Sequence, residues 1–152
     1  MQDQKCLRRF AAHIDWLDML PTIDEAIWDT PVAPGKWSMK AVVLHMTNWD
    51  RYLLSETLPA IREGRDVVFP EFDSFNQRAV EQATSGISSD EVIKDSIETR
   101  RALIQAIEGR GRLSQQAEAK LFPIIEDFIE HDHHHEQQID TFLHRNGQES
   151  PS

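Results

Sequence analysis

Apolar side chains recur along this chain at steps of three and four residues rather than in strict alternation. That spacing gathers them on one face of an α-helix. Four long segments carry the pattern. The first runs from about Gln2 to Leu20, with Leu7, Phe10, Ile14 and Leu17 in one stripe before Pro21. The second opens after Pro34-Gly35, with Ser38 as N-cap and Trp37 and Val42 placed to staple the first turn. It continues through Met39, Val42, His45, Met46, Trp49 and Leu53, and Pro59 is expected to end or kink it before Gly64. Ser74 and Gln77 read as a capping box for a short helix to about Ala83. Ser88 and Glu91 read as another, opening a segment with Ile93, Ile97, Arg100, Ile104 and Ile107 that closes at Gly109. The last long helix is expected to start near Pro123 and to reach Arg145, ahead of Asn146-Gly147. Asp66 to Phe69 is the one β-like stretch and is too short to build a sheet.

Four amphipathic helices in 152 residues predict an all-α protein, a four-helix bundle with a short extra helix in one crossover. No long Gly/Ser/Pro linker and no repeat divides it, so residues 1–147 read as one domain and 148–152 as a frayed, disordered tail. Sixteen Lys and Arg against 26 Asp and Glu give a net charge of −10. That sign argues against a nucleic-acid partner and against docking on an anionic membrane. No apolar run reaches the length of a membrane span, and the N-terminal MQDQKCLRRF is too polar for a signal peptide. The single cysteine, Cys6, excludes an internal disulfide, and a cytoplasmic setting is expected.

The densest chemical signal is Glu130-His131-Asp132-His133-His134-His135, which accounts for four of the seven histidines. At about 100° per residue, His131 and His135 lie within about 40° of each other. Phe128, Gln138 and Phe142 share their face, whereas His133 points nearly opposite and His134 lies on the flank. Two imidazoles one helical turn apart are a common way to hold a divalent metal. His45 supplies a third candidate ligand, because it shares an inward face with Val42, Trp49 and Leu53 and a bundle lets inward side chains converge. Three histidines with an open coordination position match a catalytic rather than a closed structural site. The competing reading of His45 is a core histidine bonded to a neighbour. His13 and His144 read as non-ligands, and the tryptophans Trp16, Trp28, Trp37 and Trp49 as core or pocket walls. Arg100 interrupts an isoleucine stripe and either snorkels to water or pairs with a buried carboxylate.

Two stretches resemble the DinB/YfiT-like superfamily of metal-binding four-helix bundles. Gly35-Lys36-Trp37-Ser38 entering a helix with His45, followed by Trp49, is similar to that family's G-x-W-S turn and metal histidine. His131-Asp132-His133-His134-His135-Glu136-Gln137-Gln138-Ile139 is similar to its H-x-x-H-H-x-x-Q-[IL] segment. The order and separation of the stretches match as well; Glu136-Gln137 departs from the basic residue and glycine of many relatives. The resemblance implies an up-down-down-up bundle with a long second crossover, a homodimer, and a divalent metal (Zn, Ni, Fe or Mn) on His45, His131 and His135. It also implies a small-molecule substrate, acted on by metal-dependent hydrolysis or by S-transfer from a low-molecular-weight thiol.

A hydrolase wants a general base near its metal. Glu56 lies on the predicted face of His45, and Asp50 and Asp132 point sideways, so none is well placed and thiol transfer ranks ahead of hydrolysis. The alternative is a non-catalytic protein that binds metal or sequesters a small molecule under stress.

Overall fold

The stripes read from the sequence become packed faces in the computed structural model, which describes residues 2–109 and 113–148, with backbone alone for residues 2 and 3. The elements in chain order are α1 (Gln2–Asp18), α2 (Glu25–Trp28), α3 (Met39–Tyr52), a π-helical turn (Leu53–Thr57), α4 (Leu58–Arg62), α5 (Phe72–Ala83), α6 (Ser89–Gly109) and α7 (Gln115–Arg145). Among the described residues no strand forms, and one antiparallel bridge joins Pro31 to Ser38. The protein is all-helical, and no described helix is long and apolar enough to cross a membrane.

Ser38 caps α3 as expected, its hydroxyl accepting from the Ala41 N–H at 3.1 Å, after a turn that Gly35 makes at φ +74°. Three expectations need correction. Of the two outcomes expected at Pro59, an end is not the one seen, since the helical path continues past it. The backbone widens to π spacing over Leu53–Thr57, and Pro59 then stands in the first turn of α4, where its missing N–H is harmless. α5 starts at Phe72 rather than at Ser74, because the Glu71 carboxylate accepts from the Ser74 N–H at 2.7 Å and takes the cap. α7 starts at Gln115, capped by Ser114, so Pro123 lies inside the helix rather than at its start. Pro123 and Ala119, whose carbonyl loses its partner, are both exposed, and water can take up the freed group. At the other end, Gln148 donates its N–H to the Leu143 carbonyl at 2.8 Å across Gly147; the rest of the expected tail, 149–152, lies outside the described residues.

Side-chain pairs set the helix directions. From α1 to α7, Arg9 meets Glu126, His13 meets Glu136 and Trp16 meets Asp140, so positions rise together and the two helices run parallel. Arg51 of α3 meets Asp95 of α6, and Arg62 of α4 meets the Ala106 carbonyl, so this pair is parallel too. α1 packs on α6 and α7, α3 on α5 and α6, and α4 on α7. Short α2, which the periodicity did not reveal, plugs one end with buried Trp28. Its Glu25 accepts from the backbone N–H and hydroxyl of Ser89, which hold its carboxyl down at about 2.

The core divides into two apolar clusters. One includes Ile14, Met46, Ile97 and Ile139; the other includes Phe10, Leu53, Leu103 and Ile129. Where they divide, Arg100 is fully buried. Its guanidinium donates to Asp50 at 2.7 and 2.9 Å, to Asp132 at 2.9 and 3.1 Å, and to the Phe10 carbonyl at 2.8 Å. It also lies 3.9 Å from the Phe10 ring centroid. Of the two alternatives for Arg100, the paired one holds. Replacing Arg100 by Leu strands two carboxylates away from water, and a loss of about 3–5 kcal/mol is expected from urea unfolding. Combining that change with Asp50→Leu and Asp132→Leu recovers most of the loss. An unaltered midpoint for Arg100→Leu alone removes the network from any stabilising role.

Candidate metal centre

α3 and α7 bring the three histidines singled out from the sequence to one point. His45 sits two turns into α3 and is buried, while His131 and His135 project from the same side of α7 and are half-buried. The Nε2 atoms of His45 and His131 are 3.0 Å apart, and those of His135 and His131 are 3.1 Å apart. Ring centroids are separated by 5.0, 5.2 and 4.5 Å for the pairs 45–131, 45–135 and 131–135. One ligand atom from each ring falls within 4.8 Å of the others, so the group could hold a metal ion. Nitrogens at about 2.0–2.1 Å from a tetrahedral ion are themselves about 3.3–3.4 Å apart, so the two Nε2 pairs need to open by only a few tenths of an ångström to receive one.

The surroundings prepare these rings as lone-pair donors. Gln138 presents Oε1, an acceptor only, 2.9 Å from Nδ1 of His135. Nδ1 therefore carries the proton, and Nε2 is left unprotonated toward the centre. The edge of Trp37 packs on the His45 ring at 5.2 Å between centroids. Nδ1 of His45 is buried with no hydrogen-bond partner among the described residues. Burial, followed by the neighbouring imidazoles, pushes His45 down to about 3, with the Asn76 side chain acting in the opposite sense. Burial and His135 push His131 down to about 4, and burial lowers His135 as well. All three are neutral at pH 7, the protonation state that metal binding requires.

The remaining candidates fall elsewhere. His133 and His134 are exposed. His13 is buried, with Nδ1 at 2.7 Å from the Glu136 carboxylate, and stands outside the three-histidine group. Asp50 and Asp132 are bound to Arg100. Glu56 is exposed and lines a separate cleft with Arg51, Tyr52 and Arg78.

A cavity of about 460 Å³ opens onto His45 and His131, walled chiefly by Trp49, Phe69, Phe72, Ile124 and Phe128, with Asn76 and Asp127 as its other polar groups. Its size and apolar walls suit a small molecule. A larger cleft of about 760 Å³ lies around Lys40, whose ammonium is already bound to Glu25, Asp29 and the Ile87 carbonyl. Sequence reasoning missed Asp127, although it lies four residues before His131 and so on the same helix face. Phe69 and Phe72 gave no periodic signal, because a loop and the start of α5 deliver them. Compared with family models, curated proteins and solved structures, the chain matches none.

The depressed imidazoles make a directional prediction for protein stripped of metal by a chelator. The unfolded chain takes up protons below about 6.5 that the folded site refuses until far lower pH. Stability therefore falls as pH drops from about 6.5 toward 4, by at most about 1.4 kcal/mol per pH unit for each imidazole. Urea titrations at several pH values, with a variant carrying Gln at positions 45, 131 and 135 as reference, measure the slope. Equal slopes for both proteins contradict it.

Proposed function

We propose that this chain is a small-molecule enzyme of the DinB/YfiT-like type, with one divalent metal ion held by His45, His131 and His135. The observation that carries the proposal is the convergence of three neutral imidazoles, two of which, His45 and His131, line a cavity of about 460 Å³. The helix directions support the same reading. Parallel α1/α7 and α3/α6 pairs are what an up-down-down-up bundle requires, with residues 63–88 as its long second crossover and α5 as the short helix inside it.

When bound, a divalent cation at this point supplies Lewis-acid chemistry that favours the deprotonated form of a thiol or a water. The protein's own residues do the rest. Gln138 fixes the tautomer and orientation of His135. Trp37 packs on the ring of His45, and the aromatic walls beyond bind the apolar body of a substrate and exclude water. Asp50 and Asp132 remain engaged with Arg100, and Glu56 lines a separate cleft, so the three carboxylates weighed as bases do not serve the centre. S-transfer from a low-molecular-weight thiol, which needs no base to activate water, is the version put first; for hydrolysis the carboxylate within the cavity is Asp127.

Elemental analysis of untagged protein tests the centre. One metal ion per chain is expected for the native sequence, with most of it lost in His45→Ala, His131→Ala and His135→Ala. Full metal content in these variants rejects the ligand set. Gln138→Leu keeps the ligands but loses the tautomer lock, and a roughly 10–100-fold weaker metal affinity is expected by competition with a chelator. Turnover of an electrophile only in the presence of glutathione, bacillithiol or mycothiol supports transfer, and turnover without any thiol rejects it.

A further inference from the structure

The cavity beside the three histidines has a composition that selects among ligands. Trp49 lines it, with the Phe72 and Phe69 rings at 5.6 and 6.3 Å between centroids. Phe128 and Ile124 close the α7 side. Phe72 and Phe69 stay 58% and 41% exposed, so large apolar surface around the mouth faces water until something covers it. No Lys or Arg lines the cavity, and its single carboxylate is Asp127. The Asp127 carboxylate makes no hydrogen bond or ion pair among the described residues, although the chain has 16 Lys and Arg to offer. It sits one turn from His131 on the same face of α7, about 5–6 Å away between Cβ atoms.

Aromatic faces attract an ammonium through their quadrupoles, and a carboxylate at the rim attracts it by charge. A carboxylate or phosphate ligand meets neither a guanidinium nor an ammonium there, and Asp127 repels it. We propose that this cavity receives an organic ammonium ion, a small molecule with a protonated amine on an aromatic or branched apolar body. The amine lies toward Asp127 and the aromatic rings take up the body. As a substrate class this rests on the function proposed above, with the imidazole end of the cavity as the reacting end. A divalent cation held by the imidazoles would favour a lone-pair or anionic donor atom on the same molecule. The selectivity itself comes from Asp127 and the aromatic walls and needs no metal.

The test compares three probes of nearly equal shape, phenylethylamine, phenylethanol and phenylpropionate. Dissociation constants are measured by NMR titration of the full chain near neutral pH, after metal is stripped with a chelator. The amine is expected to bind roughly tenfold more tightly than the alcohol, with the carboxylate weakest. Asp127→Asn removes the preference for the amine, and Asp127→Lys turns it toward phenylpropionate. Both changes lie on an exposed helix position, so folding is retained. Phe72→Ala weakens all three probes while leaving their order intact. The proposal is overturned if the carboxylate binds as well as the amine, if no probe binds, or if neither Asp127 variant alters the order. Amine selectivity in a protein that never takes up metal leaves this inference standing and rejects the metal reading. A metal-loaded protein without selectivity does the reverse.

Discussion

A guanidinium with no access to water must find its hydrogen bonds inside the protein, and Arg100 finds them on three other helices at once. Desolvation makes this arrangement close to all-or-none, because a register that left Arg100 or either carboxylate unpaired would bury a bare charge. Burial pushes the Asp50 carboxyl up, and the facing guanidinium pulls against it. The residues so fixed are neighbours of the site. Asp132 directly follows His131, and Asp50 lies five residues after His45. The same bonds that join α3 to α7 through Arg100 therefore set how the imidazoles of those helices face each other.

α7 shows how one helix serves both purposes. Ile125, Ile129 and Ile139 are buried in the core, Asp132 reaches Arg100, Asp127 and His131 line the cavity, and Gln138 holds the ring of His135. Helical periodicity keeps the sets apart, since residues three and four apart share a face and immediate neighbours do not. The apolar wall that makes a bare imidazole costly to charge is also what leaves it neutral and ready to donate its lone pair.

Much of this was legible without coordinates. The stripes located α1, α3, α6 and α7, Ser38 located the start of α3, and the four-residue spacing of His131 and His135 placed them on one face. Legibility failed where the deciding interaction was not a local preference. Glu71 is an unusual cap, yet it holds the start of α5. Pro123 looked like a beginning and is an interior residue, because exposure lets water replace the bond it removes. Pro59 looked like an end or a kink, and the helical path runs on past it through a π turn.

The sequence by itself determined the helical class, the inward set of histidines on α7 and the shortage of positive charge, because these follow from residue type and a fixed angle per residue. Only the tertiary structure decided that His45 meets His131 and His135 rather than an ordinary core neighbour, that Arg100 pairs instead of reaching water, and that Asp127, Trp49 and Phe72 line one cavity. Those outcomes depend on distances between segments far apart in the chain, such as Arg100 with Asp132, 32 positions apart, and His45 with His131, 86 apart. Periodicity cannot set such distances; packing and the cost of burying unpaired charge do.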